Sequence, residues 1–167
     1  MHRIFISYKF SNVSEQVLNE GVVILVEKLK EMGYDVFCNF ERNDFYIKEN
    51  WSANQIMNDC FKEIKKSDFL IMFVAPNTVL GEGMLIELGY ATHLSIPTLL
   101  ILPSEYKSIS ARAVSTYVLE YLSLSQLFSP YIIDVALRPF ASLMMISKTK
   151  KLRDMCRYGI RLNGECD

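Results

Sequence analysis

The stretch Phe69-Leu70-Ile71-Met72-Phe73-Val74 is an unbroken run of apolar residues near the middle of the chain. It lacks the polar alternation of a half-exposed strand, and it therefore predicts a parallel β-strand that is covered on both faces. Two further apolar runs have the same character: Ile4-Phe5-Ile6 near the start of the chain, and Thr98 to Leu102 directly after Pro97. Together these runs indicate a sheet that is buried between two layers.

Segments with helical spacing separate these strands. Helices are predicted over residues 13–32, 52–66 and 84–94, and two further strands over residues 34–40 and 117–124. Gly33 is expected to end the first helix, and Ser52 to cap the second. Strands that alternate with helices of this length require right-handed crossovers. The expected fold class is therefore α/β, with a single doubly wound, flavodoxin- or Rossmann-like sheet of about five mostly parallel strands and helices on both faces.

The chain has 167 residues, half of them hydrophobic, which is enough for one ordinary core and little for two. No repeat or linker divides it, so residues 1–167 are interpreted as a single domain. Its C-terminal segment, about residues 126–155, is expected to be mostly helical. Pro130 and Pro139 are predicted to break this segment, and residues 148–153 to form a solvated basic end.

The charge balance excludes several classes of partner. The 18 basic and 19 acidic residues give a formal net charge of −1, so no field of one sign recruits nucleic acid or an anionic membrane. No apolar run approaches the roughly 20 residues that cross a bilayer. The cysteines lack a CxxC pair or a histidine cluster that would indicate a metal site. We expect a cytoplasmic protein without a metal ion, whose cysteines are free thiols: Cys38, Cys60, Cys156 and Cys166.

In a doubly wound sheet, ligands bind beyond the carboxyl ends of the strands. This rule selects residues 7–12, 39–51 and 75–87 as candidate loops. The third loop contains Gly81 and Gly83, which let a ligand approach the main chain. Glu87 follows them early in a predicted helix, where the helix dipole is expected to keep it ionised. Such a carboxylate can attack an anomeric carbon, although Glu82 and Glu87 could equally serve only to complement the dipole.

Residues 59–102 resemble the nucleoside deoxyribosyltransferase family and its nucleotide N-hydrolase relatives. The resemblance rests on Ser67-Asp68 before the buried strand, on Gly83, on Glu87-Leu88-Gly89-Tyr90-Ala91, and on Ile96-Pro97 before the next strand. It implies that Glu87 is the nucleophile that displaces the base and forms a glycosyl-enzyme intermediate, which water or a second base resolves. No cofactor is needed for this chemistry. The implied function is hydrolysis or transfer of the N-glycosidic bond of a nucleoside or nucleoside monophosphate.

The resemblance also implies a set of substrate-binding residues. In the family the first loop holds the sugar or phosphate, and Ser7, Tyr8 and Lys9 occupy that loop here. These side chains are bulkier than those usual in the family, so the sugar and phosphate preference stays open. The family has an acidic residue between the buried strand and the glycine, where this chain has Asn77. Asn77 could bind a ribose hydroxyl or a base but cannot act as an ionised proton acceptor, which favours hydrolysis over base exchange.

Two charged residues are further candidates. Arg42 could hold a monophosphate through paired N–H donors, or it could belong to an ordinary charged surface loop. Asp59 could face the pocket and orient the leaving base, or it could be a solvated helix acid. Both alternatives stay open from the sequence.

Two other functions compete with the N-glycosidase interpretation. Residues 4–8 also resemble the first strand of TIR domains, some of which cleave NAD with a glutamate and produce cyclic ADP-ribose signals. A non-catalytic nucleotide-sensing module is the second alternative. In each case the partner is a small molecule: a nucleoside, a nucleotide or NAD. A homodimer or higher homo-oligomer is also expected, because residues 131–133 and 143–146 are more apolar than the flank of a small sheet requires.

Overall fold

A computed structural model describes residues 2–10, 13–129 and 131–147. The sheet has five parallel strands in the order β2-β1-β3-β4-β5, which confirms the predicted α/β doubly wound fold. The strands are β1 (Arg3–Tyr8), β2 (Asp35–Cys38), β3 (Phe69–Phe73), β4 (Thr98–Pro103) and β5 (Tyr117–Tyr121).

The helices fill the connections between the strands. A continuous helical run comprises α1 (Glu15–Val17), a π-helical stretch (Leu18–Val23) and α2 (Ile24–Glu31). A 3₁₀ segment (Asn39–Arg42) follows β2. The remaining helices are α3 (Asn43–Lys48), α4 (Ala53–Lys66), α5 (Glu82–His93), α6 (Ile109–Val114), α7 (Leu124–Leu127) and α8 (Ile132–Ser147). No helix among these described residues is long and apolar enough to span a membrane.

Alternate residues of the buried strands pack into two separate cores. Ile4, Ile6, Ile71 and Phe73 contact one core, which is completed by residues of the 15–31 helical run and of α8. Leu70 and its neighbours on the opposite face form the second core with α4 and α5. This division explains why β3 is apolar without alternation, since both of its faces are covered.

The strand order reverses beside β1, because the chain moves from β1 outward to β2 and then returns to place β3 on the other side of β1. The carboxyl ends of β1 and β3 therefore border a crevice, the position at which doubly wound sheets bind ligands. The 3₁₀ segment, α4 and the amino end of α5 surround this crevice.

The structure corrects several local predictions. The predicted strands over 34–40 and 117–124 end earlier, at Cys38 and Tyr121. The polar loop after β2 contains the 3₁₀ segment and α3, which the sequence pattern did not indicate. Pro139 lies inside α8 and does not end it; a proline removes one helical hydrogen bond, and packing of α8 through Ile133 and Leu137 against the sheet compensates for that loss.

The two helix boundary signals were correct. Gly33 follows α2 with a φ of +86°, a conformation that glycine adopts without strain. Ser52 caps α4 in a reciprocal arrangement with Gln55. The predicted basic end (148–153), Cys156 and Cys166 lie outside the described residues, whereas Cys38 and Cys60 are free and buried.

Candidate active site

Glu87 lies in the second turn of α5 and faces the carboxyl end of β1. Its Oε2 accepts a hydrogen bond of 2.5 Å from Oγ of Ser7, which β1 places at the sheet edge. Both residues are buried, and Glu87 is 7% exposed. The contact joins residues far apart in sequence and brings the first candidate loop against the third.

The electrostatic state of Glu87 differs from the sequence expectation. Because Glu87 lies beyond the first turn of α5, the free N–H groups at the helix start are not its partners. Burial raises the pKa of Glu87 to about 7, and the neutral side chains of Ser7 and Cys60 act in the opposite direction. The carboxyl group is therefore poised between its neutral and ionised forms near neutral pH, rather than held ionised by the helix dipole.

A cavity of about 800 Å³ opens directly beside Glu87. One part of its wall is apolar and comes from α4 and α5, through Ile56, Met57 and Met84. The polar part comes from the strand ends and the segments that follow them, and it includes Tyr8, Lys9, Asn39, Asn43, Tyr46 and Glu82. A mixed wall of this kind suits a ligand with a flat apolar portion and several hydrogen-bonding groups.

The hydroxyl group of Tyr8 is an unusual feature of the cavity wall. Its hydroxyl oxygen is buried and has no hydrogen-bond partner among the described residues. Burial and the nearby acids raise the pKa of Tyr8, so the group stays a neutral phenol. A buried hydroxyl without a partner is unfavourable in a native protein. Tyr8 is thus available to a ligand as a hydrogen-bond donor and acceptor.

Lys9, Gly81 and Gly83 also line the cavity, and their roles toward a substrate stay predictions. Gly81 has a φ of −84°, so its backbone does not require glycine. A Cβ atom at Gly81 would lie 3.6 Å from Cγ of Lys9, and one at Gly83 would lie 3.6 Å from Cε of Met57. These are ordinary contacts, and what the glycines contribute is uncovered backbone at the cavity wall.

Arg42, Asp59 and Asn77 are not among the cavity-lining residues. Arg42 Nη1 donates to Oδ2 of Asp59 at 2.8 Å, and the guanidinium lies 4.6 Å from the ring centroid of Phe37. The hydroxyl of Tyr46 donates to the same Asp59 oxygen at 2.8 Å. Asn77 is exposed in the loop after β3, with a φ of +57°. The structure thus pairs two of the predicted ligands with each other, and their roles toward a substrate stay predictions.

Two residues near Glu87 were missed from the sequence. Asn39 lines the cavity and donates from Nδ2 to Sγ of Cys60 at 3.0 Å. Cys60 lines the same cavity as Glu87, and it lowers the pKa of the Glu87 carboxyl group. The position of Asn39 directly after β2 was a usable signal, because ligands lie beyond strand ends. Cys60 gave no such signal, since its apolar spacing on α4 indicates only that it faces inward.

No group of three or more metal-ligating side chains occurs in the part of the chain that the structure describes.

The chain is similar to a known protein family and to solved structures. The family model for nucleoside 2-deoxyribosyltransferase matches residues 9–131, which is more than half of the chain. A CMP N-glycosidase from Clostridium botulinum is 24% identical, with a TM-score of 0.57 over 81% of this chain and 98% of its own. A conserved protein from Enterococcus faecalis is 15% identical, with a TM-score of 0.56 over 76% of this chain and 94% of its own. A comparison with curated proteins gave no match.

Proposed function

Since the chain belongs to the nucleoside 2-deoxyribosyltransferase family and is thus an enzyme of N-glycosidic bond transfer or cleavage, we propose that it hydrolyses the N-glycosidic bond of a nucleoside monophosphate. In this proposal Glu87 is the nucleophile. The observation that carries it is the position of Glu87: a buried carboxyl group on the wall of the cavity, fixed by the hydrogen bond from Ser7.

The proposed reaction has two steps. In the first, an ionised carboxylate oxygen of Glu87 attacks C1′ of the sugar, the bond from C1′ to the base nitrogen breaks, and its electron pair leaves with the base, which takes a proton from solvent. In the second, water attacks C1′ of the resulting ester. The bond from C1′ to the glutamate oxygen breaks, the water proton is released, and the Glu87 carboxylate is restored.

The surroundings of Glu87 support hydrolysis over transfer to a second base. Among the described cavity-lining residues, Glu82 is the other carboxylate, and it is exposed. It lies five positions before Glu87 on α5, which separates the two side chains by about 140° around the helix axis. Asn77, in the loop after β3, carries no charge. The described cavity wall thus offers no second buried carboxylate to accept a proton from an incoming base, and the buried Asp59 outside it accepts hydrogen bonds from Arg42 and Tyr46.

The monophosphate preference rests on Lys9. It is the cationic side chain among the described residues that line the cavity, and the uncovered backbone of Gly81 lies beside it. A phosphate would neutralise this charge, while the base would occupy the apolar wall near Met57 and Met84. The similarity in fold to a CMP N-glycosidase agrees with a nucleotide substrate.

The direct test is base release from a panel of ribo- and deoxyribonucleosides, their monophosphates and NAD, followed by chromatography. We expect release from at least one monophosphate, and a loss of about a thousandfold or more in Glu87→Gln, because an amide cannot form the ester. Glu31→Gln, an exposed glutamate at the end of α2, is the matched control and should retain the wild-type rate.

The other outcomes of the panel are equally informative. Nicotinamide release from NAD alone would replace the proposal with an NAD-cleaving activity. Release that persists in Glu87→Gln would remove Glu87 as the nucleophile. If no compound is cleaved but one binds, a nucleotide-sensing module becomes the better account.

A further inference from the structure

Cys60 occupies an unusual position for a buried thiol. It lies on α4, is 1% exposed, and still borders the cavity beside Glu87. Nδ2 of Asn39 donates to its sulfur at 3.0 Å, so the acceptor side of the sulfur is occupied. Its S–H is then free to point at another acceptor, and the carboxyl group of Glu87 lies on the wall of the same cavity.

The thiol is held in its protonated form. Burial raises the pKa of Cys60 to about 12, and the negative charge of Glu87 acts in the same direction. A thiol in this state is a poor nucleophile but a standing hydrogen-bond donor, although a weaker one than a hydroxyl. Cys60 therefore has the chemistry of a donor to Glu87 rather than that of a reactive cysteine.

Resting on the proposed function of Glu87, we propose that Cys60 is a positioning residue: held by Asn39, it donates its S–H to the Glu87 carboxylate and stabilises the ionised, attacking form. Ser7 donates from β1 and Cys60 from α4, so the carboxylate is fixed from two separate elements. Neither donor carries a charge, which leaves the carboxylate oriented but not neutralised by an ion pair.

The other titratable groups around Glu87 do not replace this contact. Tyr8 approaches from β1 and Cys38 from the end of β2, and burial raises the pKa of both. Each therefore stays neutral when Glu87 ionises. Cys38 belongs to the core on the opposite face of the sheet from Cys60, and it is not among the cavity-lining residues. Cys38 and Cys60 are therefore two buried thiols, of which Cys60 lines the cavity with Glu87 and Cys38 does not.

The test measures the ionisation of Glu87 directly, by the carboxyl ¹³C shift of labelled glutamate against pH in the free protein. We expect Cys60→Ala to raise the pKa of Glu87 by about half a unit, the value of one weak hydrogen bond. Cys60→Ser should restore or lower it, because a hydroxyl is the stronger donor. Cys38→Ala should leave it unchanged, which controls for the loss of a buried thiol.

Activity supplies the second readout. The acid limb of kcat/KM against pH should move with the measured pKa in Cys60→Ala and return in Cys60→Ser. An unchanged pKa of Glu87 in Cys60→Ala, or an equal change in Cys38→Ala, overturns the proposal. If Cys60→Ala does not fold, Cys60→Ser decides it: a pKa of Glu87 at or below the wild-type value supports the proposal, and a higher value overturns it. A moved pKa without any N-glycosidase activity would retain the contact and reject the proposed function instead.

Discussion

Two buried glutamates lie at opposite ends of the strands. One is surrounded by cations, and the other by neutral groups. Glu63, near the amino ends of the strands, is 4% exposed and accepts hydrogen bonds from two cations, Nη2 of Arg3 at 2.5 Å and Nζ of Lys66 at 2.8 Å. Glu87, at the carboxyl ends, is 7% exposed, accepts a hydrogen bond from the neutral Ser7, has the neutral Cys60 as its proposed second donor, and forms no ion pair within the described residues. The negative charge of Glu63 is compensated by two positive charges, whereas the negative charge of Glu87 is compensated only in part, by neutral hydrogen-bond donors.

The difference separates a carboxylate that stabilises from one that is available for chemistry. A buried charge that is paired and hydrogen-bonded is tolerable, and one without a counter-ion shifts its pKa instead. A lysine or arginine beside Glu87 would hold it ionised but would also weaken it as a nucleophile and fill the cavity. The fold therefore places two cations beside Glu63 near the amino ends of the strands, and it leaves Glu87 without an ion pair among the described residues, beside the cavity.

We expect the largest loss of stability from a substitution of Glu63, whose charge is compensated by two cations. Glu63→Gln removes the negative charge that Arg3 and Lys66 share and leaves one oxygen that can accept from only one of them, so we expect the free energy of unfolding to fall by about 3 kcal/mol. The value lies at the low end for buried pairs because Lys66 is exposed and Arg3 keeps its contact with Asp35. Urea unfolding at neutral pH measures it.

The matched control is Glu41→Gln, which removes the negative charge of an exposed ion pair with Lys30. This variant should change the free energy of unfolding by less than about 1 kcal/mol. Equal losses in Glu63→Gln and Glu41→Gln would show that burial does not distinguish the two pairs, and the proposed stabilising role of Glu63 would fail.

For Glu87 we expect the opposite effect: substitution by glutamine should raise the free energy of unfolding. Its pKa rises from an ordinary 4.5 to about 7 on folding, so the folded state resists ionisation, and stability present below pH 4.5 is lost as the pH rises through 7. This difference corresponds to about 3 kcal/mol. Glutamine avoids the loss, but its nitrogen cannot accept the thiol hydrogen bond, so Glu87→Gln should be about 2 kcal/mol more stable than wild type at pH 8.

The measurement is urea unfolding of both proteins at pH 5 and pH 8. Other carboxyl groups titrate alike in the two proteins and cancel in the difference. The advantage of Glu87→Gln should nearly disappear at pH 5. A constant difference between the two pH values would mean that Glu87 is ionised throughout the range, and the contrast with Glu63 would not hold. A variant that is more stable but inactive is the expected behaviour of a substituted active-site group.

The sheet and the position of Glu87 near the carboxyl ends of the strands were predictable because they depend on local patterns. The apolar run of β3 and the Pro-led run of β4 indicate buried parallel strands directly, and the strand-end rule then selects the loops around Glu87. The short helix α3 was not predictable: Phe45 and Ile47 are exposed while Tyr46 between them is buried, so no helical period is visible in its sequence.

Pairings between distant side chains were the other gap. The sequence shows that Arg42 can bind a carboxylate or a phosphate, but not that Asp59 on α4 is its partner. Likewise, α4 gives Cys60 an inward position without showing that Glu87 on α5 is across from it. Both contacts depend on how α4 packs against its neighbours, and spacing in one sequence carries no such distance.

The smallest expected effect is that of removing the hydroxyl group of Ser7, one of the two neutral donors proposed for Glu87. Ser7 donates through a hydroxyl at 2.5 Å, so Ser7→Ala should raise the pKa of Glu87 by about one unit, more than the loss of the weaker thiol donor. The acid limb of the rate profile should move upward by the same amount, while kcat at pH 9, where Glu87 is ionised in both proteins, should change little.

Ser7→Thr keeps the hydroxyl and is the control for Ser7→Ala, provided that thermal unfolding shows its extra methyl group is accommodated. It should retain the wild-type profile. A loss of kcat at all pH values in Ser7→Ala, without movement of the acid limb, would show that Ser7 acts on the substrate or on the shape of the site. Ser7 would then not offset the effect of burial on the pKa of Glu87, and the contrast with Glu63 would rest on the missing cations rather than on the neutral donors.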